Sequence, residues 1–499
     1  MKECSGWPAR GRAPGQAEQR QEIGTNVISV ETQAERLGTF VAKLSGMQRR
    51  ATLPRTLPLG WHGVSVPDFT ERRPVAETFA DLFGQPPAIA ISAYDGSQAG
   101  PADAPARVIL ESPTALRRIV KAPGGLGLAR AYIAGDLRVE GDLIEAVRRA
   151  ERLGLGRPSP RALFDLLREA GASSLRRLEA PAVEIRHERD RRVRHRDLRR
   201  HREARTIAHH YDISSVFYRI VLGPSMTDSG AAFRSNAESL AAAQEHKHDL
   251  VCRKLGLAPG MRLLDLGCGW GTLAIHAARH YGVEVVGVTP SWKQAELAHH
   301  RVVEAGLWER VEIRVQDYCE VVDGPYDGIS SVGLFEHLGI ARRRHYADRA
   351  FALLRPGGRL VSQSLDCNTR GSSHGSSWLR RAGFFDRYVS PGATVPDIAS
   401  VVAELERIGF ETCDVEGMRE SGARTMRAWS ANLEAQWDDA VRAAGIERAR
   451  MWRLLLAAGV VGLESGRLGI HQVLAIRPDG TATALPARSQ WDAPAVRAA

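Results

Sequence analysis

A glycine-rich turn is the clearest chemical signal in the chain. The segment Leu263–Gly271, LLDLGCGWG, places Asp265 and a GxGxG pattern directly after a hydrophobic run. Glycines let a backbone approach a ligand closely, and the carboxyl end of the first strand of a doubly wound sheet is a common ligand-binding position. The spacing differs from the GxGxxG of dinucleotide sites, and a carboxylate here suits a cationic sulfonium cofactor better than a pyrophosphate. We predict a cofactor site; the alternative is a tight turn with a structural role.

Two further segments could complete this site. The next strand ends in Gly287–Ser291 without an acid for ribose hydroxyls, which leaves Thr289 and Gln294 as the available donors and acceptors. After the third strand, Asp317 could accept from an adenine amino group and the ring of Tyr318 could stack on the base. An adenosine-like ligand is therefore expected at three consecutive strand ends.

Alternating helix and strand patterns from residue 206 onward would position these side chains. Strand-length hydrophobic runs alternate with segments whose apolar residues recur every three or four positions, which is typical of βαβ units. The predicted fold class is α/β, a doubly wound, Rossmann-like domain. Its predicted strands are Arg262–Leu266, Val283–Val288, Val311–Val315, Gly328–Val332 and Arg359–Ser364.

The 499 residues divide into segments of different composition. Residues 1–74 have few apolar positions and are predicted to be mostly disordered. Residues 75–180 are predicted to form a small α+β domain, which an Arg-rich linker, 181–205, connects to the α/β domain, 206–480. Residues 481–499 are predicted to form a flexible tail.

Much of the formal net charge of +10 lies in the linker. Between Arg186 and Arg205 there are ten arginines and four acids. The interspersed acids are compatible with a solvated helix held by ion pairs, and the alternative is a surface that binds anionic lipid. The run has no aromatic residue on which a base could stack, so nucleic acid is not an expected partner.

The cysteines and the apolar stretches exclude other classes. The six cysteines lie at least sixteen residues apart and form no CxxC pair, which argues against a metal site and a disulfide framework. There is no apolar run of signal-peptide type at the N-terminus, and the longest uncharged apolar stretch near the C-terminus, Leu454–Leu463, is about half of the ~20 residues that cross a bilayer. We expect a cytoplasmic protein, peripherally associated with the inner face of the cell membrane.

Several long motifs resemble one known family. They are His209–Phe233 (HHYDISSVFYRIVLGPSMTDSGAAF), Ala243–Leu257, GVTPSWKQ from Gly287, GLFEHLG from Gly333, RPGGRL from Arg355 and ARTMRAW from Ala423. With the glycine turn, they resemble S-adenosylmethionine-dependent methyltransferases and, more narrowly, the cyclopropane-fatty-acyl-phospholipid synthase family, which includes mycolic acid methyltransferases. Asp95–Pro105 and Leu128–Leu143 resemble that family's sterol-carrier-like N-terminal domain. The resemblance spans about residues 75–480.

The resemblance implies S-adenosylmethionine as the cofactor and an unsaturated acyl chain as the substrate. The predicted cofactor-binding residues are Tyr211, Ser229, Asp265, Gly267, Cys268, Gly269, Trp270, Gly271, Thr289, Ser291, Gln294, Asp317 and Tyr318. In the family, the π electrons of a cis double bond attack the sulfonium methyl, and the resulting carbocation loses a proton. Such a cation requires a dry tunnel lined by aromatic rings. The candidates are Phe217, Tyr218, Trp270, Phe384, Phe385 and Tyr388, each with ordinary core packing as the alternative.

The resemblance is incomplete where the proton is removed. The family uses a bicarbonate ion held by a glutamate, a histidine, a tyrosine and a cysteine-bearing loop. Glu336 matches the glutamate, but the family's YSCA is here Asp228–Ala231, its HTI is Gln363–Leu365, and Gly422 stands where a tyrosine precedes the ART motif. Bicarbonate is therefore doubtful as a cofactor. We predict that Glu336 or Asp228 serves directly as the base; a structural role is the alternative for Glu336.

The leading prediction is a methyltransferase that acts on the double bond of unsaturated acyl chains in phospholipids. Its expected partners are that lipid, an anionic membrane surface and, in a homodimer, a second copy of the chain. One alternative is an enzyme on the same scaffold that forms methylene- or methyl-branched fatty acids or alkylates another small molecule, since fold does not fix the substrate. Another is a lipid-binding protein without catalysis, against which the retention of Asp265, Gly267, Gly269 and Glu336 argues.

Overall fold

The computed structural model describes residues 73–83, 89–152, 160–170, 178–185, 213–367, 383–389, 395–481 and 485. The arginine run, Tyr211, nearly all of the predicted disordered segment and most of the predicted tail lie outside these residues. The described residues all belong to one compact unit, which begins at Arg73.

A four-stranded sheet with helices forms the N-terminal part. Its strands are β1 (Ala90–Ala93), β2 (Gln98–Ala99), β3 (Ala106–Leu110) and β4 (Leu137–Gly141), in the order β2-β1-β3-β4. Buried and half-buried residues alternate along β3, as expected for a strand with one face on a core. The helices are α1 (Val75–Ala80), α2 (Pro113–Lys121), α3 (Gly125–Ala134), α4 (Leu143–Arg152) and α5 (Pro160–Ala170).

A seven-stranded sheet forms the centre of the larger part. Its strands are β5 (Arg262–Leu266), β6 (Glu284–Thr289), β7 (Val311–Val315), β8 (Tyr326–Val332), β9 (Leu354–Cys367), β10 (Glu411–Gly417) and β11 (Leu468–Ile476). The order is β10-β11-β9-β8-β5-β6-β7, and the five strands from β9 to β7 are parallel, which agrees with the predicted doubly wound fold class. β11 runs antiparallel to both of its neighbours, β9 and β10, so the sheet is mixed. The sequence did not indicate β10 because its alternating acids belong to an edge strand.

The helices of the larger part cover this sheet. They are α6 (Ser215–Leu222), α7 (Leu240–Leu255), α8 (Thr272–Tyr281), α9 (Trp292–Glu304), α10 (Ile340–Leu353), α11 (Phe384–Tyr388), α12 (Ile398–Ile408), α13 (Arg419–Ala435), α14 (Trp437–Ala444) and α15 (Ile446–Glu464). β5 lies between β6 and β8, so the strand order reverses at its carboxyl end. Doubly wound sheets bind ligands at such a reversal.

Helix α15 connects the cores of the two parts. It contains Leu454–Leu463, in which every residue but Leu455 is buried, as predicted from the apolar composition. Trp452 and Leu454 belong to the same hydrophobic cluster as Phe79 and Ile133 of the N-terminal part, and α15 packs against α3 and α4. In the described part of the chain, no helix has both the length and the hydropathy needed to cross a membrane.

Candidate active site

A cleft opens at the carboxyl end of β5. It holds about 770 Å³ of space not filled by atoms, part of it open to solvent, which lies within the ~300–1,000 Å³ typical of small-molecule sites. Its walls come from the glycine turn, the ends of β6 and β8, and the segment between α6 and α7. Of the predicted site residues, those that line it are Asp228, Ser229, Asp265, Gly267, Cys268, Gly269, Trp270, Thr289 and Gln294.

Hydrogen bonds to β6 hold the glycine turn. The Gly267 and Cys268 amides both donate to the Val288 carbonyl at 3.0 Å. Gly267 and Gly269 have φ values of +79° and +55°, a region that glycine adopts without the steric cost paid by residues with a Cβ atom. The turn therefore presents its backbone to the cleft, as the sequence predicted.

Gly271 and Cys268 contact neighbouring elements. A Cβ atom at Gly271 would lie 3.2 Å from the Ala298 Cβ atom, so this glycine lets α8 approach α9 closely. The Cys268 side chain packs against Gly287. Burial raises the pKa of its thiol, so Cys268 is an unreactive part of the cleft wall.

Arg301 on α9 connects the turn to two other segments. Its guanidinium donates to the Trp270 carbonyl at 2.7 Å, the Thr272 hydroxyl at 2.9 Å and the Ser225 carbonyl at 3.4 Å. The Thr272 hydroxyl also donates to the Ser225 carbonyl, at 2.7 Å. Arg301 therefore fixes the turn, the start of α8 and the segment after α6. Sequence reasoning missed it because only the fold brings α9 to this point.

A buried acid and a buried lysine face each other at the cleft. Asp265 Oδ1 accepts a hydrogen bond from the Ser330 hydroxyl at 2.8 Å, and Lys247 Nζ donates to Ser229 Oγ at 3.0 Å. Burial raises the pKa of Asp265 and lowers that of Lys247, and the attraction between the two side chains opposes both shifts. Lys247 was not predicted, because it lies in a polar stretch of α7.

Thr289, Ser291 and Gln294 form a small network at the start of α9. The Thr289 hydroxyl donates to Gln294 Oε1 at 2.7 Å. The Ser291 side chain caps the helix by accepting from the Gln294 amide at 3.2 Å. Thr289 and Gln294 thus line the cleft. Ser291 does not line it but holds the first turn of α9, which carries Gln294.

The predicted adenine contacts lie away from the cleft lining. Both carboxylate oxygens of Asp317 accept from Arg342, at 3.0 and 2.9 Å. Tyr318 is buried, and its ring packs edge-on against Tyr346 with the Arg342 guanidinium above it. The structure therefore places Asp317 and Tyr318 in internal contacts, which the sequence could not indicate because Arg342 comes from α10.

The predicted tunnel aromatics form one buried cluster beside the cleft. Tyr218 and Trp270 have ring centroids 4.8 Å apart, and Trp452 packs edge-on against Tyr218 at 5.6 Å. Trp270 lines the cleft, so the cluster begins at the cofactor site. Its other predicted members are Phe217, Phe384 and Tyr388, with the partly buried Phe385 packed against them. Trp452 was not predicted, because it lies in a helix that is apolar on most faces.

Tyr388 also belongs to a junction of three segments, the Glu184 junction. Its hydroxyl donates to Glu184 Oε2 at 2.9 Å. Arg130 of α3 binds the same carboxylate through two hydrogen bonds of 2.7 and 2.5 Å. The Glu184 side chain is only 3% exposed. The junction therefore holds α11, which carries three of the predicted tunnel residues, to the N-terminal part.

Glu336 lies in a short turn, Phe335–His337, directly after β8. Its Oε1 atom accepts from the Leu365 amide at 3.4 Å, and its Oε2 atom is buried without a hydrogen-bond partner among the described residues. Burial raises the pKa of Glu336 to about 7, and the negative charges of Asp228 and Asp366 add to this shift. Asp228 and His337 line the cleft, so the two predicted bases lie in the same region.

Comparison with known proteins identifies the family. Residues 198–473 match the family described as mycolic acid cyclopropane synthetase. A probable fatty acid methyltransferase of Mycobacterium tuberculosis is 39% identical over 415 residues, which cover 82% of this chain and 95% of that protein. This chain belongs to the mycolic acid cyclopropane synthetase family. A probable fatty acid methyltransferase of Pseudomonas putida, which is 35% identical over 77% of this chain and 91% of its own length, is a further relative.

Solved structures agree with this assignment. The cyclopropane synthase MmaA2 from Mycobacterium tuberculosis is 30% identical, with a TM-score of 0.53 over 55% of this chain and 98% of its own. A mycolic acid cyclopropane synthase solved with SAH and CTAB gives the same identity and TM-score. The predicted family and cofactor are thus confirmed: the protein is an S-adenosylmethionine-dependent methyltransferase of the cyclopropane and methyl fatty acid synthase family.

The residues around the cleft fit this cofactor. S-adenosylmethionine is a cation with many polar groups, and the cleft offers the carboxylates of Asp228 and Asp265, the polar side chains of Thr289 and Gln294, and the backbone of the glycine turn. The lowered pKa of Lys247 allows this side chain to be neutral beside a cation. When bound, the cofactor supplies an electrophilic methyl group.

Exchange of Arg301 for alanine is expected to weaken S-adenosylmethionine binding about tenfold, which corresponds to ~1.4 kcal/mol. The reason is that the glycine turn loses the hydrogen bonds of Arg301 that hold it in place. Calorimetric titration of the purified protein with the cofactor measures the change. Arg279→Ala, which alters an exposed residue of α8, is the control. Equal affinities for Arg301→Ala and the wild-type protein would remove Arg301 from the positioning of the turn.

Proposed function

We propose that this enzyme transfers a methyl group to the cis double bond of an unsaturated acyl chain in a phospholipid and then removes one proton. The observation that supports this most directly is Glu336, whose buried Oε2 atom has no hydrogen-bond partner among the described residues. The next residue, His337, lines the cofactor cleft. Methylation of an alkene leaves a carbocation, which must lose a proton to give a stable product. A desolvated carboxylate is suited to accept that proton.

The aromatic cluster gives this reaction a suitable environment. A carbocation survives only where water is excluded, and the faces of aromatic rings attract a cation. Trp270 belongs both to the cleft and to the cluster. An acyl chain in contact with the cluster would therefore lie next to the cofactor.

The proposed substrate is an acyl chain of a membrane phospholipid. The relatives from Mycobacterium tuberculosis and Pseudomonas putida are named probable fatty acid methyltransferases, which supports a fatty acyl chain. The arginine run favours anionic headgroups, since each basic residue near a charged leaflet contributes about 1 kcal/mol. We accordingly place the enzyme in the cytoplasm, at the inner face of the membrane; a homodimer stays a prediction.

Incubation with S-adenosylmethionine labelled in its methyl group and vesicles of oleoyl-containing phosphatidylglycerol tests the proposal. The extracted lipids are analysed by mass spectrometry and NMR. The expected result is an acyl chain heavier by one CH₂ unit, with label in a cyclopropane ring or in a methylene branch of the chain. Label on a free fatty acid but not on the phospholipid would exclude the phospholipid as substrate. Binding of lipid without any transfer would favour the non-catalytic alternative.

A further inference from the structure

Three positions at which this chain departs from its family come together in the fold. Gly230 stands in place of the family's cysteine, Gln363 in place of its histidine and Gly422 in place of its tyrosine. A Cβ atom at Gly230 would lie 3.6 Å from Gln363 Nε2 and 3.8 Å from Gly422 Cα. In the family, the residues at these positions are expected to hold a bicarbonate ion. The three exchanges therefore change a single site.

An apolar side chain fills the space beside the two glycines. The Cδ1 atom of Ile470 lies 3.0 Å from the Cβ position of Gly230 and 2.4 Å from that of Gly422. Real Cβ atoms do not approach other atoms as closely as 2.4 Å. A side chain at position 422 would therefore require Ile470, which is buried on β11, to move away from the place it occupies here. In this chain, the Ile470 side chain thus occupies the space that side chains at positions 230 and 422 would need.

The hydrogen-bond donors at this site are engaged within the protein. Gln363 Nε2 donates to the Gly230 carbonyl at 2.9 Å, and Gln472 Nε2 donates to Gln363 Oε1 at 3.2 Å. The Leu365 amide donates to Glu336. An anion bound here would displace these bonds and lie against Ile470, where an uncompensated charge is costly. The residues present thus do not fit bicarbonate.

Further hydrogen bonds hold the loop that carries Asp228. The Ser229 carbonyl accepts from Gln244 Nε2 at 2.8 Å, and the Ala231 amide donates to Thr425 Oγ1 at 3.0 Å. Gln244 and Thr425 are buried. Side chains from several elements therefore hold this loop in one conformation, next to the cofactor cleft.

We propose, building on the proposed function, that this enzyme works without bicarbonate and that Glu336 itself accepts the proton. The π electrons of the alkene form the new carbon–carbon bond as the bond between sulfur and methyl breaks. The carbocation then gives one proton to Glu336 Oε2. The electrons of the broken C–H bond close a cyclopropane ring or, after a hydride shift, form a methylene double bond. Glu336 afterwards releases the proton to solvent, so one proton appears for each methyl group transferred.

Rates of methyl transfer with and without bicarbonate test this inference. The wild-type protein is assayed with labelled S-adenosylmethionine and the phospholipid vesicles, in buffer freed of carbon dioxide and in the same buffer with bicarbonate added at constant pH. We expect the two rates to agree within twofold. A family member that retains the cysteine, histidine and tyrosine is assayed in parallel, and its lower rate in the depleted buffer shows that depletion is effective.

The outcomes separate this inference from the proposed function. A rate that increases tenfold or more on addition of bicarbonate would overturn the bicarbonate-independent step and leave the proposed function intact. Failure to label any lipid in either buffer, with the family member active, would instead contradict the proposed function. Equal rates in the two buffers support both.

Discussion

Exchange of Glu336 for glutamine is expected to reduce product formation by about 10²- to 10⁴-fold, the usual contribution of a general base. Glutamine retains the size of the side chain and can still accept from the Leu365 amide, so the exchange removes little besides the ability to take up a proton. The affinity for S-adenosylmethionine is expected to change by less than twofold, because the cofactor contacts come from other residues. Mass spectrometry of the lipid product and calorimetry of cofactor binding provide the two measurements.

The pH dependence of the reaction identifies the same group. Burial and the neighbouring charges of Asp228 and Asp366 raise the pKa of Glu336 to about 7. Below this pH the carboxyl group is protonated and cannot accept a proton, so product formation is expected to increase as the pH rises through about 7 and then to level off. Burial lowers the pKa of Lys247 to about 7 as well. The pH profile of the residual activity of Glu336→Gln distinguishes the two groups. The increase in activity near pH 7 disappears in this variant only if Glu336 is the group that causes it.

Glu309→Gln is the matched control for this exchange, since Glu309 is exposed and lies outside the cleft. It is expected to retain the wild-type rate and the wild-type pH profile. Undiminished product formation by Glu336→Gln, together with normal behaviour of the control, would remove Glu336 from the reaction and leave Asp228 as the remaining predicted base.

Exchange of Arg130 for alanine is expected to destabilise the protein by about 3 kcal/mol, because it breaks a buried ion pair and leaves one partner behind. Glu184 would remain buried, with Tyr388 as a donor and Arg387 at 3.9 Å. The Arg130 side chain is 21% exposed, so we take the lower end of the usual 3–5 kcal/mol range. Since the Glu184 junction holds α11 in place, the aromatic cluster should also loosen.

Thermal unfolding measures this effect as a decrease of several degrees in Tm. Arg138→Ala, which removes an exposed arginine paired with two surface acids, is the control and is expected to leave Tm unchanged. Glu184→Ala in the Arg130→Ala background should restore part of the loss, because it removes the uncompensated charge. A Tm for Arg130→Ala equal to that of the wild-type protein would show that the junction does not stabilise the fold.

The local features of the site could be predicted from the sequence. The glycine turn, Thr289 and Gln294 follow hydrophobic strands, and the rule that ligands bind at the carboxyl ends of parallel strands is enough to place them together. Glu336 was identified through the resemblance of GLFEHLG to the family's motif, and its position after β8 agrees with the same rule. Residue types and strand ends therefore indicated much of the cleft before any long-range contact was known.

Features that depend on contacts between distant segments could not be predicted. Asp317 looked available for adenine, but Arg342 engages its carboxylate. Lys247 was not among the predicted site residues, although it lines the cleft. The missing cysteine, histidine and tyrosine are three separate differences in the sequence, and only the fold brings Gly230, Gln363 and Gly422 together. In each case the deciding partner comes from another element of the sheet or its helices.

The burial of α15 has a consequence for where the enzyme can be divided. The family match covers residues 198–473, yet Trp452 and Leu454 of α15 share a hydrophobic cluster with the segment around Phe79. A chain shortened to the matched residues would expose this apolar face to water, at about 25 cal/mol for each Å² uncovered. The N-terminal part thus covers an apolar surface of the methyltransferase, and a chain shortened to residues 198–473 is expected to be less stable than the full chain.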